Sequence, residues 1–298
     1  MTALALDVET NVPIPTWFKV GGRASRLVRP STVDELRAAL ELDREASILG
    51  DGANLIVADG GVGQLVIDLS ALRETSIDGT SVRAQAGARL PSLVTRTSKR
   101  GLAGMHTLAG VPASVGGAIV MNAGGAHGQI ADTVASVTAM DRNGEVVTFG
   151  RGDISFGYRR SGLNHLVVIG AEFRLSEGDA GDLTASVKSI MQAKKASQPL
   201  ADRSAGCCFK NPTLERLIEG IGDAGARVSA GMLIDRAGCK ALRRGTAEVS
   251  PIHANFITLD RTGGRADDVI GLMGEVERRV EDAFGVVLER EVVVWGDR

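Results

Sequence analysis

Apolar and polar positions along the first 70 residues alternate in short blocks. Residues 26–30 and the runs ASILG, LIVAD and VGQLVIDLS have the length and apolar content of strands. Among them, STVDELRAALELDRE has apolar positions at helical spacing, and Ser31 stands where an N-cap is expected. Residues 20–70 therefore predict a small α/β unit of βαββ character, in which the helix stands between the first strand and the later ones.

Between residues 75 and 175 the pattern is that of paired strands. TSIDGTSVRAQAGA has a turn signal between two alternating runs, and SVTAMDRNGEVVTFG has Asn143-Gly144 near its centre, so each predicts a β-hairpin. LPSLVTRTSKRGL predicts a short helix closed by Gly101, and HLVVIGAEFRLS predicts a further strand. We expect this part of the chain to be α+β with an antiparallel sheet.

The last third alternates between helical runs and strand runs. A helix is predicted over DLTASVKSIMQAKKASQP, and after Pro199 come two more helical runs, AGMLIDRAGCK and ADDVIGLMGEVERRVEDAF. HANFITLD and VVLEREVVVWG predict strands. We therefore expect three parts, residues 1–72, 73–194 and 195–298, the last of which is a compact α/β unit.

Composition and charge exclude several classes of function. The 298 residues have a net charge of −2, which predicts no basic surface for nucleic acid. Only 3% of them are aromatic, so few rings are available to stack on bases or sugars. The uncharged span 101–126 is long enough for a membrane helix, but glycines, Pro112 and Asn122 interrupt it and argue against one. The N-terminal run lacks the basic start of a signal peptide. Three cysteines without a CxxC pair predict neither a disulfide framework nor a metal site. We expect a cytoplasmic protein without nucleic-acid or membrane partners.

Two glycine-rich stretches are candidates for ligand binding. ILGDGANLIV, residues 48–57, places a turn after a strand, where successive backbone N–H groups can bind an anion. The residues alone also allow a plain tight turn between two strands, and the pattern is neither a Walker A motif nor GxGxxG. LAGVPASVGGAIVMNAGGAHG, residues 108–128, consists mostly of small residues, which suits either a phosphate-bearing ligand or a loop that covers the core.

Two further stretches contain groups suited to chemistry. FGYRRSGL, residues 156–163, has the only tyrosine of the chain beside two arginines, which suits capture of a carboxylate but also a plain surface pair. SAGCCFKNP, residues 204–212, has two adjacent cysteines. If this stretch is extended, its side chains alternate, so Cys207 and Cys208 point to opposite faces.

Taken in this order, the motifs closely resemble those of the UDP-N-acetylenolpyruvoylglucosamine reductase family, the MurB flavoenzymes of peptidoglycan synthesis. The likeness runs from TWFKVGG (16–22) through ILGDGANL, GVPASVGGA, MNAG, FGYRRS, AGCCFKNP and HANF to LEREV (288–292). It implies an α+β fold: a PCMH-type (vanillyl-alcohol-oxidase-like) two-part FAD-binding domain plus a C-terminal α/β substrate-binding domain.

The resemblance also implies the reaction, which is NADPH-driven reduction of UDP-N-acetylglucosamine enolpyruvate to UDP-N-acetylmuramate. Non-covalently bound FAD is the implied cofactor, NADPH the co-substrate and the UDP-sugar the substrate. In such enzymes FAD is first reduced by NADPH and then gives hydride to the terminal carbon of the enolpyruvyl group. A monomer that serves cell-wall biogenesis, cell shape and cell division is expected.

The resemblance assigns flavin contacts to two loops. Two of the matched positions depart from the usual family pattern, since Asp51 and Ala53 stand where Gly and Ser are usual. A carboxylate beside a pyrophosphate is expected to weaken binding unless it points away, and His127 lies in a segment with one inserted residue. The positions carried over are Gly50, Asp51, Gly52, Ala53, Asn54, Val111, Ser114, Val115, Gly116, Gly117, Asn122 and Gly124.

The resemblance assigns catalysis to three residues. Arg159 and Glu291 are expected to hold the carboxylate side of the substrate and to stabilise the developing enolate, with Glu291 protonated or sharing a proton. Cys207 falls where the family usually has a serine that donates a proton, and an ordinary thiol with a pKa of about 8.5 is mostly protonated at neutral pH. The expected substrate contacts are Tyr158, Lys210, Asn211 and Asn255.

Two other functions remain open at this point. Another PCMH-type flavin oxidoreductase would keep the glycine loops but has no reason to keep Arg159, Cys207 and Glu291 together. A catalytically silent homologue that only binds a sugar nucleotide would account for the departures at Asp51, Ala53 and His127.

Overall fold

A computed structural model describes residues 6–260 and 263–296. The strands, numbered in chain order, are β1 Glu9–Pro13, β2 Arg23–Val28, β3 Ser47–Leu49, β4 Leu55–Val57, β5 Val62–Asp68, β6 Thr75–Asp78, β7 Ser81–Gln85, β8 Leu102–Ala103, β9 Gly124–Gly125, β10 Gly128–Gln129, β11 Val134–Met140, β12 Val146–Gly150, β13 Val167–Arg174, β14 Ser176–Glu177, β15 Arg243–Arg244, β16 Ala247–Val249, β17 Ile257–Leu259 and β18 Val293–Trp295. The helices are α1 Val33–Leu42, α2 Leu90–Lys99, α3 Val115–Val120, α4 Ala180–Ser197, α5 Ala230–Arg236 and α6 Ala266–Phe284.

The chain divides into two compact units, and neither is continuous in sequence. The first unit comprises residues 1–12, 24–51 and 63–194, and the second comprises 13–23, 52–62 and 195–298. This division does not separate residues 1–72 from 73–194, so the three-part organisation stays a prediction.

In the described residues, the first unit contains two larger sheets, two short two-stranded sheets (β8 with β14 and β9 with β10) and an apolar core. Strands β1, β2, β5 and β3 form one sheet in that order, with β3 and β5 parallel. Strands β12, β11, β13, β7 and β6 form an antiparallel sheet. Both predicted hairpins are therefore confirmed, and Gly144 has the positive φ (88°) that its turn requires. The helix that Gly101 was predicted to close is α2.

Helix α1 begins one residue later than the sequence indicated. Its N-cap is Thr32, whose side chain accepts a hydrogen bond from the backbone N–H of Glu35. The carboxylate of Glu35 accepts in return from the backbone N–H and the hydroxyl of Ser31. The prediction of Ser31 as N-cap was therefore wrong. Thr32 caps the helix, and Ser31, one residue earlier, donates to the Glu35 carboxylate instead.

The second unit is built on α5, α6 and the antiparallel strands β15, β16 and β17. The amphipathic run predicted for α6 is helical over its whole length, and its apolar face packs into the core of this unit. Strand β4 pairs in parallel with β18, with Leu55 opposite Val293. The prediction that LIVAD belongs with the strands of residues 20–70 was therefore wrong. No helix in the two described ranges is long and apolar enough to cross a membrane.

Candidate functional site

The two glycine-rich motifs meet in the first unit around one cavity of about 320 Å³. Gly50 and Asp51 from the first motif and Ser114 from the second line this cavity, although more than 60 residues of chain separate them. We call it the arginine cavity because three arginines also line it. The lining residues are Gly50, Asp51, Ser70, Arg73, Thr75, Gly87, Ala88, Arg89, Ser92, Leu93, Arg96 and Ser114.

The walls of the arginine cavity leave no room for larger residues at two glycines. A Cβ on Gly50 would lie 2.5 Å from the hydroxyl oxygen of Ser114, and one on Gly87 would lie 2.0 Å from the carbonyl oxygen of Leu69. Such close packing beside basic side chains suits an extended anionic ligand. The residues present therefore fit the pyrophosphate part of FAD.

Helix α3 contributes shape rather than free N–H groups to this region. Its first three N–H groups are already bonded within the chain: Val115 to the carbonyl of Ala88, Gly116 to that of Ala86, and Gly117 to the hydroxyl of Ser114. The side chain of Val115 is buried in the core of the first unit, against which Val111 also packs. Contacts of these residues with a cofactor would be made through carbon or carbonyl atoms.

The carboxylate of Asp51 has a positively charged neighbour in the arginine cavity. Its Oδ1 lies 3.8 Å from Nε of Arg89, and both residues line the arginine cavity. The departure from the family pattern at position 51 is thus accompanied by a nearby cation. Sequence reasoning missed Arg73, Arg89 and Arg96, which belong to no motif and converge only in the folded chain.

The remainder of the first motif lies in the second unit. Gly52 has φ +63°, and a Cβ there would lie 2.2 Å from the carbonyl oxygen of Pro15, so glycine is required. Ala53 is buried. The side-chain amide of Asn54 donates to the carbonyl oxygen of Glu291 over 3.0 Å, a use that the motif did not predict.

A network in the first unit fixes Arg159. Its guanidinium donates to the carbonyl of Gly124 over 2.9 Å and lies over the ring of Tyr158, 5.4 Å from its centroid. The side-chain amide of the buried Asn122 donates to the side-chain oxygen Oε1 of Gln129 and to the backbone carbonyl of Gly157. It also accepts from the N–H of Ala131, so it ties these loops together.

Arg159 and Asn122 both have positive φ, at 55° and 43° respectively. Asparagine tolerates this conformation, whereas for arginine it is strained by about 1–3 kcal/mol. The surrounding bonds hold the Arg159 backbone in this state, which is typical of residues at functional sites.

The adjacent cysteines lie on a short extended segment of the second unit. Cys207 forms an antiparallel bridge with Phe256, and the N–H of Cys208 donates to the carbonyl of Asn255. Cys207 is partly exposed and Cys208 is fully buried, as expected for alternating side chains. Burial raises the pKa of the Cys208 thiol to about 12, and the nearby carboxylate of Glu291 also raises it.

The opposite edge of this segment bonds to the chain around Glu291. The N–H of Glu291 donates to the carbonyl of Cys208, and the N–H of Lys210 donates to the carbonyl of Glu289, both over 2.8 Å. Two of the three predicted catalytic residues, Cys207 and Glu291, therefore lie on neighbouring hydrogen-bonded segments of the second unit. Arg159 belongs to the first unit.

Of the predicted substrate contacts, Asn255 bonds to the cysteine segment. Its side chain is buried, accepting from the N–H of Phe209 and donating to the carbonyl of the same residue. These two bonds fix the cysteine segment, and the role of Asn255 as a substrate contact stays a prediction. Lys210 pairs with Glu289 over 2.5 Å, and Asn211 accepts from the N–H of Ala230 at the start of α5.

No group of three His, Cys, Asp or Glu side chains in residues 6–260 and 263–296 is arranged to hold a metal ion.

Comparison with known proteins agrees with this geometry. Residues 24–150 match the family model of an FAD binding domain, and that range includes all of the residues that line the arginine cavity. The fold and the family match thus define an FAD-binding α+β protein, as predicted. Residues 198–295 match the C-terminal domain of UDP-N-acetylenolpyruvoylglucosamine reductase.

Similar proteins extend this match to the whole chain. The reductase of Moorella thermoacetica is 37% identical over 99% of this chain and 96% of its own length, and that of Desulforamulus reducens is 37% identical over 98% and 94%. The crystal structure of the Thermus caldophilus reductase (MurB) has a TM-score of 0.80 at 33% identity and covers 98% of this chain and 99% of that one. The chain belongs to the UDP-N-acetylenolpyruvoylglucosamine reductase family, so the resemblance and the FAD cofactor predicted from the sequence are confirmed.

We predict that Arg89 offsets the charge of Asp51 when FAD binds. Arg89→Ala should weaken FAD affinity about tenfold, or about 1.4 kcal/mol, because it removes a cation and leaves a carboxylate beside the pyrophosphate. Titration of the apoprotein with FAD, followed by flavin fluorescence, measures this change.

The exposed Arg44, which lies in the same unit but outside the cavity lining, provides the control as Arg44→Ala. In an Asp51→Ser background, the loss caused by Arg89→Ala should be smaller, since no carboxylate is left to repel the ligand. Equal losses in the two backgrounds would contradict the pairing.

Proposed function

We propose that this chain is an FAD-dependent reductase that uses NADPH to convert UDP-N-acetylglucosamine enolpyruvate to UDP-N-acetylmuramate. Membership of the reductase family over the full chain supports this reaction. We further propose that it acts in the cytoplasm, where it would supply peptidoglycan precursor for cell shape and division.

The observation that best supports the reaction is the pairing of the cysteine segment with the Glu291 segment. A bond of 2.8 Å joins the backbones of Cys208 and Glu291, directly beside the partly exposed Cys207. A proton donor and a carboxyl group on adjacent segments suit a reaction that must protonate a carbon next to a carboxylate.

In the proposed mechanism, the residues of the arginine cavity would hold FAD, which would supply the hydride for the terminal carbon of the enolpyruvyl group, with NADPH as its source. Negative charge then develops on the substrate carboxylate side, where the guanidinium of Arg159 and a protonated Glu291 stabilise it. The Cys207 thiol donates a proton to the adjacent carbon. Cys208 is unsuited to this role, since it is fully buried and its pKa is about 12.

A catalytically silent homologue that binds the sugar nucleotide remains the second candidate, favoured by the departures at Asp51, Ala53 and His127. The ion pair between Asp51 and Arg89 weakens this alternative, because the added carboxylate has a counter-charge. One experiment distinguishes the two. The purified yellow protein should bleach with NADPH under anaerobic conditions and recover its colour when the enolpyruvyl sugar nucleotide is added, whereas a silent homologue would stay bleached.

The pH dependence of the second half-reaction should reveal a thiol donor. A thiol can donate only while protonated, so reoxidation of reduced flavin by the substrate should be fastest at low pH and fall as pH rises through the thiol pKa, ordinarily about 8.5. Reduction by NADPH should show no such fall. Stopped-flow absorbance of the flavin measures both rates.

Variants of the two cysteines should separate their roles. Cys207→Ala should slow reoxidation by about 10²–10⁴, as is typical for a lost general acid. Cys207→Ser should keep substantial activity, and its reoxidation rate should fall only at a higher pH than that of the wild type. Cys208→Ala is the matched control and should have a mild effect. If Cys208→Ala is inactive and Cys207→Ala is normal, then the assignment of the donor is wrong.

Arg159→Lys should separate the two half-reactions in the same way. Lysine keeps the charge but lacks the planar fork that binds a carboxylate through two bonds. Reoxidation by the substrate should slow by about 10²–10³, the scale of a lost oxyanion donor, while reduction by NADPH changes little. Similar losses in both half-reactions would instead indicate that Arg159 supports the flavin site.

A further inference from the structure

The backbone of Glu291 is held by hydrogen bonds at both of its polar groups. Its N–H donates to the carbonyl of Cys208 over 2.8 Å, and its carbonyl accepts from the side-chain amide of Asn54 over 3.0 Å. The preceding residue, Arg290, forms two bonds with the carboxylate of Glu277. These bonds fix both the position and the direction of the chain at Glu291.

Asn54 is itself rigidly placed. Its carbonyl accepts from the N–H of Val293 over 3.0 Å, and the residue that follows it, Leu55, is buried and begins β4. Since β4 and β18 pair in parallel from Leu55 and Val293 onward, the Asn54 amide extends this pairing to Glu291. Asparagine can do this because its side chain offers a donor where the parallel ladder has ended.

We infer that Asn54 is a positioning residue for Glu291, rather than a residue whose side chain mainly binds the flavin. The inference rests on the proposed function, in which the Glu291 carboxyl acts on the substrate. Without the Asn54 donor, the backbone carbonyl of Glu291 loses a partly buried hydrogen bond. The backbone from which the Glu291 side chain extends is then less firmly held, so its carboxyl group can shift. A displacement of about 1 Å in a catalytic group can cost about 10²-fold in rate.

Two variants remove the donor in different ways. Asn54→Asp keeps the shape but replaces the donating NH₂ with an oxygen, and Asn54→Ala removes the amide altogether. In both variants, reoxidation of reduced flavin by the enolpyruvyl substrate should slow about 10–100-fold, while reduction by NADPH stays within about threefold of wild type. Affinity of Asn54→Ala for FAD should likewise stay within about threefold. The exposed Asn164 gives the matched control, Asn164→Ala, which should resemble wild type throughout.

A double-mutant cycle distinguishes positioning from general damage. If Asn54 acts through Glu291, then Asn54→Ala should have little further effect on reoxidation in a Glu291→Gln protein, because the carboxyl that it positions is already lost. Additive losses, or a loss of FAD affinity of more than about tenfold with both half-reactions slowed alike, would overturn the inference.

Failure of the proposed function has a different signature. In that case, wild-type protein reduced by NADPH would not be reoxidised by the enolpyruvyl sugar nucleotide, before any variant is considered. An active wild type with additive variants would overturn the role of Asn54 alone.

Discussion

The arrangement of the second unit depends on the hydrogen bonds at both edges of the segment Cys207–Phe209. On one edge, the Asn255 side chain occupies both polar groups of the Phe209 backbone, and on the other edge Cys208 and Lys210 bond to the chain around Glu291. A segment of three residues with no free edge has little freedom to shift. The alternation that exposes Cys207 and buries Cys208 follows from this constraint, since a shift by one residue would exchange the two thiols.

The arginine cavity illustrates how a departure from a family motif can be tolerated. Asp51 adds negative charge to a cavity that suits an anionic ligand, yet Arg89 lies within ion-pair distance, 38 residues further along the chain. Because Arg89 is largely exposed, the pair adds little to stability by itself. The effect of Arg89 is instead on the electrostatic potential of the cavity, which Arg73 and Arg96 also make more positive.

The sequence predicted those elements that are defined by residues close together in the chain. The hairpin of β11 and β12 and the helix α6 were predicted because turn residues and apolar periodicity are visible over a short window. Helix α3 was not predicted, since its six residues include Gly116 and Gly117, and glycine disfavours helices. The partner of β4 could not be predicted either, as nothing local links Leu55 to Val293. At the site, motif matching predicted the residues Cys207 and Glu291 but not that Asn54 and Asn255 use their side chains to hold those segments.

The parallel pairing of β4 with β18 has a consequence for how the protein is made. Strand β4 leaves the ribosome early, but the strand beside which it belongs, Val293–Trp295, is translated only after most of the chain has emerged. At ordinary rates of about 5–20 residues per second, the buried apolar residues Leu55–Val57 wait on the order of ten seconds or more for their neighbour. The first unit can begin to fold during that interval, whereas the segment that holds Glu291 is completed last. Premature termination near the end of translation would therefore leave an almost complete first unit without the segment that carries Glu291 and without the partner strand of β4.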